Sequence, residues 1–81
     1  MIVHVQLFAR ARELAETALA TLDLPDGSTV RDVKERLRLQ YPRLAQLLSR
    51  STIAVNDDYA TDDLVLPADA TVALIPPVSG G

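Results

Sequence analysis

The sequence predicts an α+β fold in which one main helix packs on one face of a mixed sheet of about five strands. Three observations carry this prediction. Several short segments alternate apolar and polar residues, as half-buried strands do. One longer segment, Ser28 to Pro42, repeats apolar residues at helical spacing. Every connection between these segments is short, as a single compact domain requires.

The chain opens with a predicted strand, Ile2 to Phe8. Its odd-numbered residues are apolar and point to the core, while His4 and Gln6 point to the other face. The segment Ala9 to Glu16 is rich in helix-forming residues but spans only about two turns. It is therefore expected to form a short connecting helix at most.

A second strand is predicted over Ala18 to Pro25, where the proline ends it and a turn follows. The main helix follows. Ser28 or Thr29 can cap it, and Asp32 lies where the acid of a capping box would lie for Thr29. Pro42 ends the helix. Its apolar stripe consists of residues at helical spacing: Val30, Val33, Leu37 and Tyr41.

The rest of the chain predicts a second short helical segment after Pro42 and then three strands. These are Thr52 to Asn56, a short irregular strand within Tyr59 to Ala70, and Thr71 to Ile75. The first and last strands of the chain are expected to pair in parallel at the centre of the sheet. This order of elements is that of the β-grasp fold, as in ubiquitin, and it covers residues 1–75.

Size and composition restrict the classes of function. The 81 residues are 48% hydrophobic and 4% aromatic, which is enough for one aliphatic core. A large substrate pocket together with a catalytic apparatus would not fit. The absence of cysteine excludes disulfides, thiolate metal sites and cysteine nucleophiles. We expect neither a bound metal nor a bound cofactor.

The formal net charge of −3 disfavours nucleic-acid binding, which depends on clustered Lys and Arg. The start of the chain lacks the features of a signal peptide, and no apolar stretch reaches the roughly 20 residues that span a bilayer. We expect a cytoplasmic protein that binds neither nucleic acid nor a membrane. An acidic chain would be steered towards a basic partner, although solubility alone also accounts for this charge.

The last six residues predict an extended tail, residues 76–81. The two prolines cannot donate ladder hydrogen bonds, so the sheet ends before them and the chain extends about 20 Å from the body. The two final glycines would make the tail narrow enough to enter a channel in another protein. The residues expected to lie in that channel are Pro76, Pro77, Val78, Ser79 and Gly80.

Gly81 carries the predicted chemistry of the tail. An unhindered carboxylate on a terminal glycine is a good substrate for adenylation. The resulting acyl-adenylate can be attacked by an amine, which gives an amide, or by a sulfur donor, which gives a thiocarboxylate. In either case the tail acts as a reactive arm and the folded body as a recognition handle.

A docking surface is predicted beside the tail. If the inward residues of the first and last strands face the helix, Phe8 and Ile75 lie near each other on the exposed face of the sheet. Exposed apolar patches of this kind mark partner sites. The alternative is that Phe8 packs under the short helix. Arg10, Arg12 and Arg43 are either partner contacts or ordinary surface charge.

Two segments resemble a known family. "LFARARELAE" near the start and "PPVSGG" at the end resemble the small, sulfur-carrying subunits of molybdopterin synthase, a ubiquitin-like family. The resemblance extends over essentially the whole chain and includes "AVN", Ala54 to Asn56, before a turn. Two turns depart from the family pattern, with Glu16-Thr17 and Asp69-Ala70 where glycines are usual. Asp tolerates the left-handed backbone that glycine would supply.

The resemblance implies a cycle of loading and transfer. An ATP-using enzyme of the ubiquitin-activating type would adenylate Gly81, and a sulfurtransferase system would then form the Gly81 thiocarboxylate. The tail would enter the large subunit of the synthase and give its sulfur to cyclic pyranopterin monophosphate. The assembly in this family is a heterotetramer whose catalytic pocket belongs to the large subunit, so the chain alone is not expected to be catalytic.

Three alternatives remain open from the residues. A sulfur carrier for thiamine thiazole synthesis shares the fold and the Gly-Gly end. A ubiquitin-like protein modifier would join Gly81 to a lysine through an isopeptide bond. A binding module without tail chemistry would tolerate deletion of Gly81, which each carrier or modifier hypothesis forbids.

Overall fold

Five strands and three α-helices make up the fold in the computed structural model, which describes residues 1–77. The strands are β1 (Ile2–Leu7), β2 (Leu19–Asp23), β3 (Thr52–Val55), β4 (Asp58–Ala60) and β5 (Val72–Ile75). The helices are α1 (Ala9–Ala15), α2 (Val30–Gln40) and α3 (Ala45–Leu48), the last preceded by a 3-10 turn at Pro42–Leu44.

The strands form one mixed sheet in the order β2-β1-β5-β3-β4. β1 and β5 pair in parallel at its centre, with Leu7 opposite Leu74, and the other neighbouring strands are antiparallel. The predicted α+β class, the central parallel pair and the β-grasp arrangement are therefore confirmed.

The core lies between one face of the sheet and the helical layer. The residues of β1 alternate between exposed and buried along the whole strand, as a sheet covered on one side requires. Each large aliphatic side chain removed from water contributes roughly 1.5–3 kcal/mol. The largest fully buried side chains are Leu7, Leu22, Leu37, Leu44, Ile53, Leu74, Val5, Val30, Val33 and Val72.

The start of α2 is fixed by a capping box on Thr29. The Thr29 hydroxyl accepts a hydrogen bond from the Asp32 backbone N–H, and the Thr29 N–H donates to the Asp32 carboxylate at 2.9 Å. Ser28 has another role, because its hydroxyl donates to the Pro25 carbonyl at 2.7 Å. The sequence left Ser28 and Thr29 as alternatives, and the structure selects Thr29.

The connection between β4 and β5 packs against the first turn of α2. The Val30 and Arg31 N–H groups, which have no partner inside the helix, donate to the carbonyls of Leu64 and Asp62 at 3.0 Å each. The Asp62 carboxylate also accepts a hydrogen bond from Lys34 Nζ at 2.8 Å. This hydrogen bond, together with the charge of Lys34, lowers the pKa of Asp62. The loop is thus tied to the helix through both backbone and side-chain contacts.

Both turns that depart from the family pattern have left-handed backbone at their first residue. Glu16, the C-cap of α1, has φ 59°, and its N–H donates to the Glu13 carbonyl at 3.3 Å. Asp69 has φ 57°. A side chain at such a position carries a conformational cost that glycine does not.

Glu16→Gly is expected to raise the free energy of unfolding by about 1 kcal/mol, because glycine adopts the left-handed C-cap without a Cβ clash. Urea unfolding measures this change. The control is Ala15→Gly, one residue earlier in the helix, where glycine should lower stability by about 0.5–1 kcal/mol. A change of the same sign in the free energy of unfolding of both variants would contradict the assignment of Glu16 as a left-handed C-cap.

Asp62→Asn is expected to lower the free energy of unfolding at neutral pH by less than about 1 kcal/mol, because the ion pair with Lys34 is partly exposed. The folded-state pKa of Asp62 is lowered, so its contribution is complete above the unfolded-state pKa and is lost as the pH falls through the folded-state pKa. The difference from the unsubstituted chain should therefore shrink in acid. Asp58→Asn, at a residue without an ion pair in the described part of the chain, serves as the control.

Candidate functional site

The candidate site is the end of the sheet at which β5 leads into the tail. Because β1 and β5 are parallel, they finish at the same end of the sheet. Pro76 and Pro77 follow β5 directly, are partly buried and belong to no helix or strand. The other predicted tail residues, Val78, Ser79, Gly80 and Gly81, lie outside the described residues, so their predicted roles stay predictions.

Phe8 and Ile75 are brought together at this end of the sheet. Phe8 has extended backbone (φ −125°, ψ 157°), so the alternation of β1 continues for one more residue and directs Phe8 away from buried Leu7. Its side chain is 45% exposed. The pairing of Leu7 with Leu74 sets Phe8 beside Ile75 on the face opposite α2. This is the juxtaposition that the alternation of the two strands predicted.

A sharp backbone turn holds Phe8 in place. Ala9, the next residue, has φ 47°, an uncommon value for a residue with a Cβ. The Phe8 carbonyl accepts hydrogen bonds from the N–H groups of Ala11 at 3.0 Å and Arg12 at 3.3 Å. The chain thus passes from strand to helix within one residue, and these hydrogen bonds fix the backbone of Phe8.

Near the end of β5, the exposed sheet face carries two further large apolar residues that the sequence reasoning missed. Gln6 pairs with Leu19 on one side and with Ala73 on the other, and Ala73 pairs through Ala54 with Tyr59. Leu19 is 46% exposed and Tyr59 is 77% exposed. We refer to the residues of this surface as the apolar face: Phe8, Leu19, Ala54, Tyr59, Ala73 and Ile75.

Alternation alone could have found Leu19, since Ala20 and Leu22 of the same strand are buried. Tyr59 could not have been found in this way, because its place depends on the register between β3 and β4. Both residues extend the predicted Phe8 and Ile75 pair across the sheet.

The buried polar side chains of the described residues are few, and all of them are hydrogen-bonded. They belong to Ser28 and Ser51, and both hydroxyls donate to backbone carbonyls. Among residues 1–77, no group of three or more potential metal-ligating side chains is arranged to hold an ion. No helix in that range is long and apolar enough to cross a membrane.

A β-grasp body with an apolar face beside the last strand defines a protein of the ubiquitin-like class. A family profile described as the ThiS family matches residues 5–81. The chain is 40% identical over 79 residues to the molybdopterin synthase sulfur carrier subunit of Arabidopsis thaliana, covering 98% of this chain and 82% of that one. It is 32% identical to the subunit of the same name from Chlamydomonas reinhardtii, with both chains covered completely. The chain therefore belongs to the ThiS family, and the predicted resemblance to sulfur carrier subunits of molybdopterin synthase is confirmed.

Solved structures share the fold. SAMP1 from Haloferax volcanii superposes with a TM-score of 0.87 at 26% identity, with both chains covered completely. A putative molybdopterin converting factor subunit 1 from Pyrococcus furiosus gives 0.85 at 30% identity, covering 96% of this chain and 99% of that one. A chain in the complex of subunits 1 and 2 of the molybdopterin-converting factor from Helicobacter pylori gives 0.71 at 22% identity, with both chains fully covered, and shows the fold alone.

Phe8→Asp is expected to weaken partner binding by about tenfold or more while leaving the chain folded, because it places a charge at the centre of an apolar contact. Isothermal titration with the large synthase subunit measures binding, and urea unfolding measures stability. Leu39→Asp is the matched control, since Leu39 is 60% exposed on α2, on the opposite side of the sheet. Equal losses for both variants, or unchanged binding by a folded Phe8→Asp chain, would show that the apolar face is not the docking surface.

Proposed function

We propose that this protein is the sulfur carrier subunit of a molybdopterin synthase, in which Gly81 carries the sulfur as a thiocarboxylate. The observation that carries the proposal is the 40% identity, over 98% of the chain, to a subunit of that name. The position of the apolar face beside the tail adds support, because a carrier that binds its partner through this face would bring its C-terminus to the partner's pocket at the same time.

The loading step is proposed to begin with an ATP-using enzyme of the ubiquitin-activating type. The Gly81 carboxylate attacks the α-phosphate of ATP, so that pyrophosphate leaves and an acyl-adenylate forms. A persulfide on a sulfurtransferase then attacks the acyl carbon and displaces AMP, which forms an acyl disulfide. A thiol reduces the S–S bond of that disulfide and releases the terminus. The product is the Gly81 thiocarboxylate, a nucleophilic sulfur on an unhindered end.

The transfer step is proposed to take place in the large subunit of the synthase. The apolar face would dock on that subunit, and residues 76–81 would extend into its catalytic pocket. The thiocarboxylate sulfur would attack a carbon of cyclic pyranopterin monophosphate and displace an oxygen of that substrate. Water would then cleave the acyl–sulfur bond, which leaves the sulfur on the substrate and restores the Gly81 carboxylate. A dithiolene needs two such transfers, each from a separately loaded chain. The chain supplies recognition and a reactive end, and the large subunit supplies the pocket.

A protein-modifying role is the second candidate. It is favoured by the likeness to SAMP1 from Haloferax volcanii, whose full name is small archaeal modifier protein 1. Here an amine of a target lysine would attack the acyl-adenylate and form an amide. Lys34 is the one lysine of the chain. The Lys34→Arg chain therefore has no lysine that could become attached to another copy of the chain. Any lysine conjugate that it forms in an assay must be on a different protein. A sulfur carrier for thiazole synthesis would share the loading step and differ in the acceptor.

The chain isolated from its own cells without a tag is expected to show a mass gain equal to sulfur replacing oxygen, localised to Gly81 by fragmentation. The large subunit with cyclic pyranopterin monophosphate should then remove this gain and form the dithiolene. Loading without transfer to that precursor would favour the thiazole pathway. A plain carboxylate in cells that contain the activating enzyme, together with conjugates on other proteins, would favour the modifier.

Gly81→Ala is expected to slow both loading and transfer by about tenfold or more, because a methyl group beside the reacting carbon misplaces it in a narrow channel. Ser79→Ala is the control, since it adds no bulk to the tail and leaves the reacting residue unchanged. Single-turnover rates of adenylation and sulfur transfer measure both steps. Full rates for Gly81→Ala would contradict the proposed role of the terminus.

A further inference from the structure

Three arginines surround one recess beside the candidate site. The recess has a volume of about 290 Å³ and is lined by Arg10, Leu14, Arg43, Gln46, Leu47 and Arg50. The first two residues belong to α1, and the others come from the 3-10 turn, α3 and the residues just after it. The recess therefore forms where the two short helical segments meet.

The recess lies at the end of the sheet from which the tail leaves. Arg10 stands two residues after Phe8, at the beginning of α1. Arg50 stands two residues before Thr52, which pairs with Ile75 at the end of β5. The recess belongs to the helical side of the sheet, opposite the apolar face, and only the tail exit adjoins both. A protein that surrounds the tail exit would therefore also meet these arginines.

The charges in the recess are largely uncompensated by the chain itself. Arg43 and Arg50 form no ion pair within residues 1–77, and both side chains are exposed. Arg10 pairs with Glu13 at 3.2 Å in an exposed contact of the kind that contributes little to stability. Guanidinium groups stay charged at any physiological pH and fit carboxylates with two parallel hydrogen bonds.

The net charge of the chain conceals this arrangement. All eight Lys and Arg residues fall between positions 10 and 50, whereas residues 51–81 contain five Asp and neither Lys nor Arg. The overall charge of −3 suggests a basic partner, but the recess beside the tail has the opposite sign. The surface that matters for docking is therefore suited to an acidic partner.

We propose that the recess formed by Arg10, Arg43 and Arg50 binds carboxylates of an acidic segment on the large subunit that receives the tail. The inference rests on the proposed function. The arginines would contact acidic side chains, while Leu14 and Leu47 give the recess an apolar floor. Together with the apolar face this makes a second point of attachment, which fixes the rotation of the body about the tail.

The test compares association rates with the large subunit, measured by stopped flow, for Arg43→Glu, Arg50→Glu and the control Arg36→Glu. Arg36 is an exposed arginine of α2 that lines a different recess with Leu24 and Asp26. Each variant changes the net charge equally. Arg43→Glu and Arg50→Glu should each slow association by roughly threefold to tenfold at low salt, and Arg36→Glu by less than about twofold. The differences should vanish at 1 M salt, where the Debye length falls to about 3 Å.

Equal slowing by all three variants would overturn the inference, because net charge alone would then explain the effect. Unchanged rates for Arg43→Glu and Arg50→Glu chains with normal unfolding transitions would overturn it as well. Inorganic phosphate at constant ionic strength should weaken binding of the unsubstituted chain more than binding of the Arg43→Glu chain, and equal weakening of both would overturn the inference. If the unsubstituted chain fails to bind the large subunit at all, the proposed function fails, and the inference fails with it.

Discussion

The parallel pairing of β1 with β5 joins the two ends of the chain at the centre of the sheet, through Val5 with Val72, Gln6 with Ala73 and Leu7 with Leu74. Because parallel neighbours finish at the same end, this pairing places the start of α1 beside the end of β5. The meeting of Phe8 with Ile75, beside the start of the tail, follows from that placement. The pairing is also non-local, so the site exists only when the whole domain has folded.

The helical layer covers one face of the sheet and leaves the other open. The buried residues of β1 and β5 alternate with exposed or partly exposed ones, and α2 lies over the buried set. If helices covered the other face as well, the outward residues of both strands would also be buried, and such strands are apolar along their whole length. The open face instead carries small residues at its centre, Ala54 and Ala73. Larger apolar residues lie around them, together with the exposed polar residues Gln6 and Thr52. Such a surface allows a partner to approach the sheet closely.

Local patterns in the sequence were enough to predict much of the fold. The alternation of the strands, the capping box at Thr29 and the stop at Pro42 each depend on neighbours within a few residues. The same alternation predicted that Phe8 and Ile75 would share the open face. These features could be found because strand and helix periods determine which side a residue faces.

The remaining parts of the site depend on contacts between segments that are distant in sequence. Tyr59 joins the apolar face because β4 pairs with β3 in a register that sets Tyr59 beside Ala54. The carbonyl of Asp62 accepts a hydrogen bond from the N–H of Arg31 in the first turn of α2. Arg10 and Arg50 meet only because α1 packs beside the segment that leads into β3. No local period encodes these meetings, so the sequence predicted arginines on the surface but not their convergence.

The short helix α1 is stable only because it packs against the rest of the domain. Seven residues are too few for a stable isolated helix. Ala9, its first residue, and Glu16, the residue after it, both have left-handed backbone, which costs of order 1 kcal/mol or more each. Buried Ala11 anchors the helix to the core and offsets this cost. The helix that begins directly after Phe8 and carries Arg10 is thus unfavourable when considered alone. Its position depends on packing against the rest of the domain.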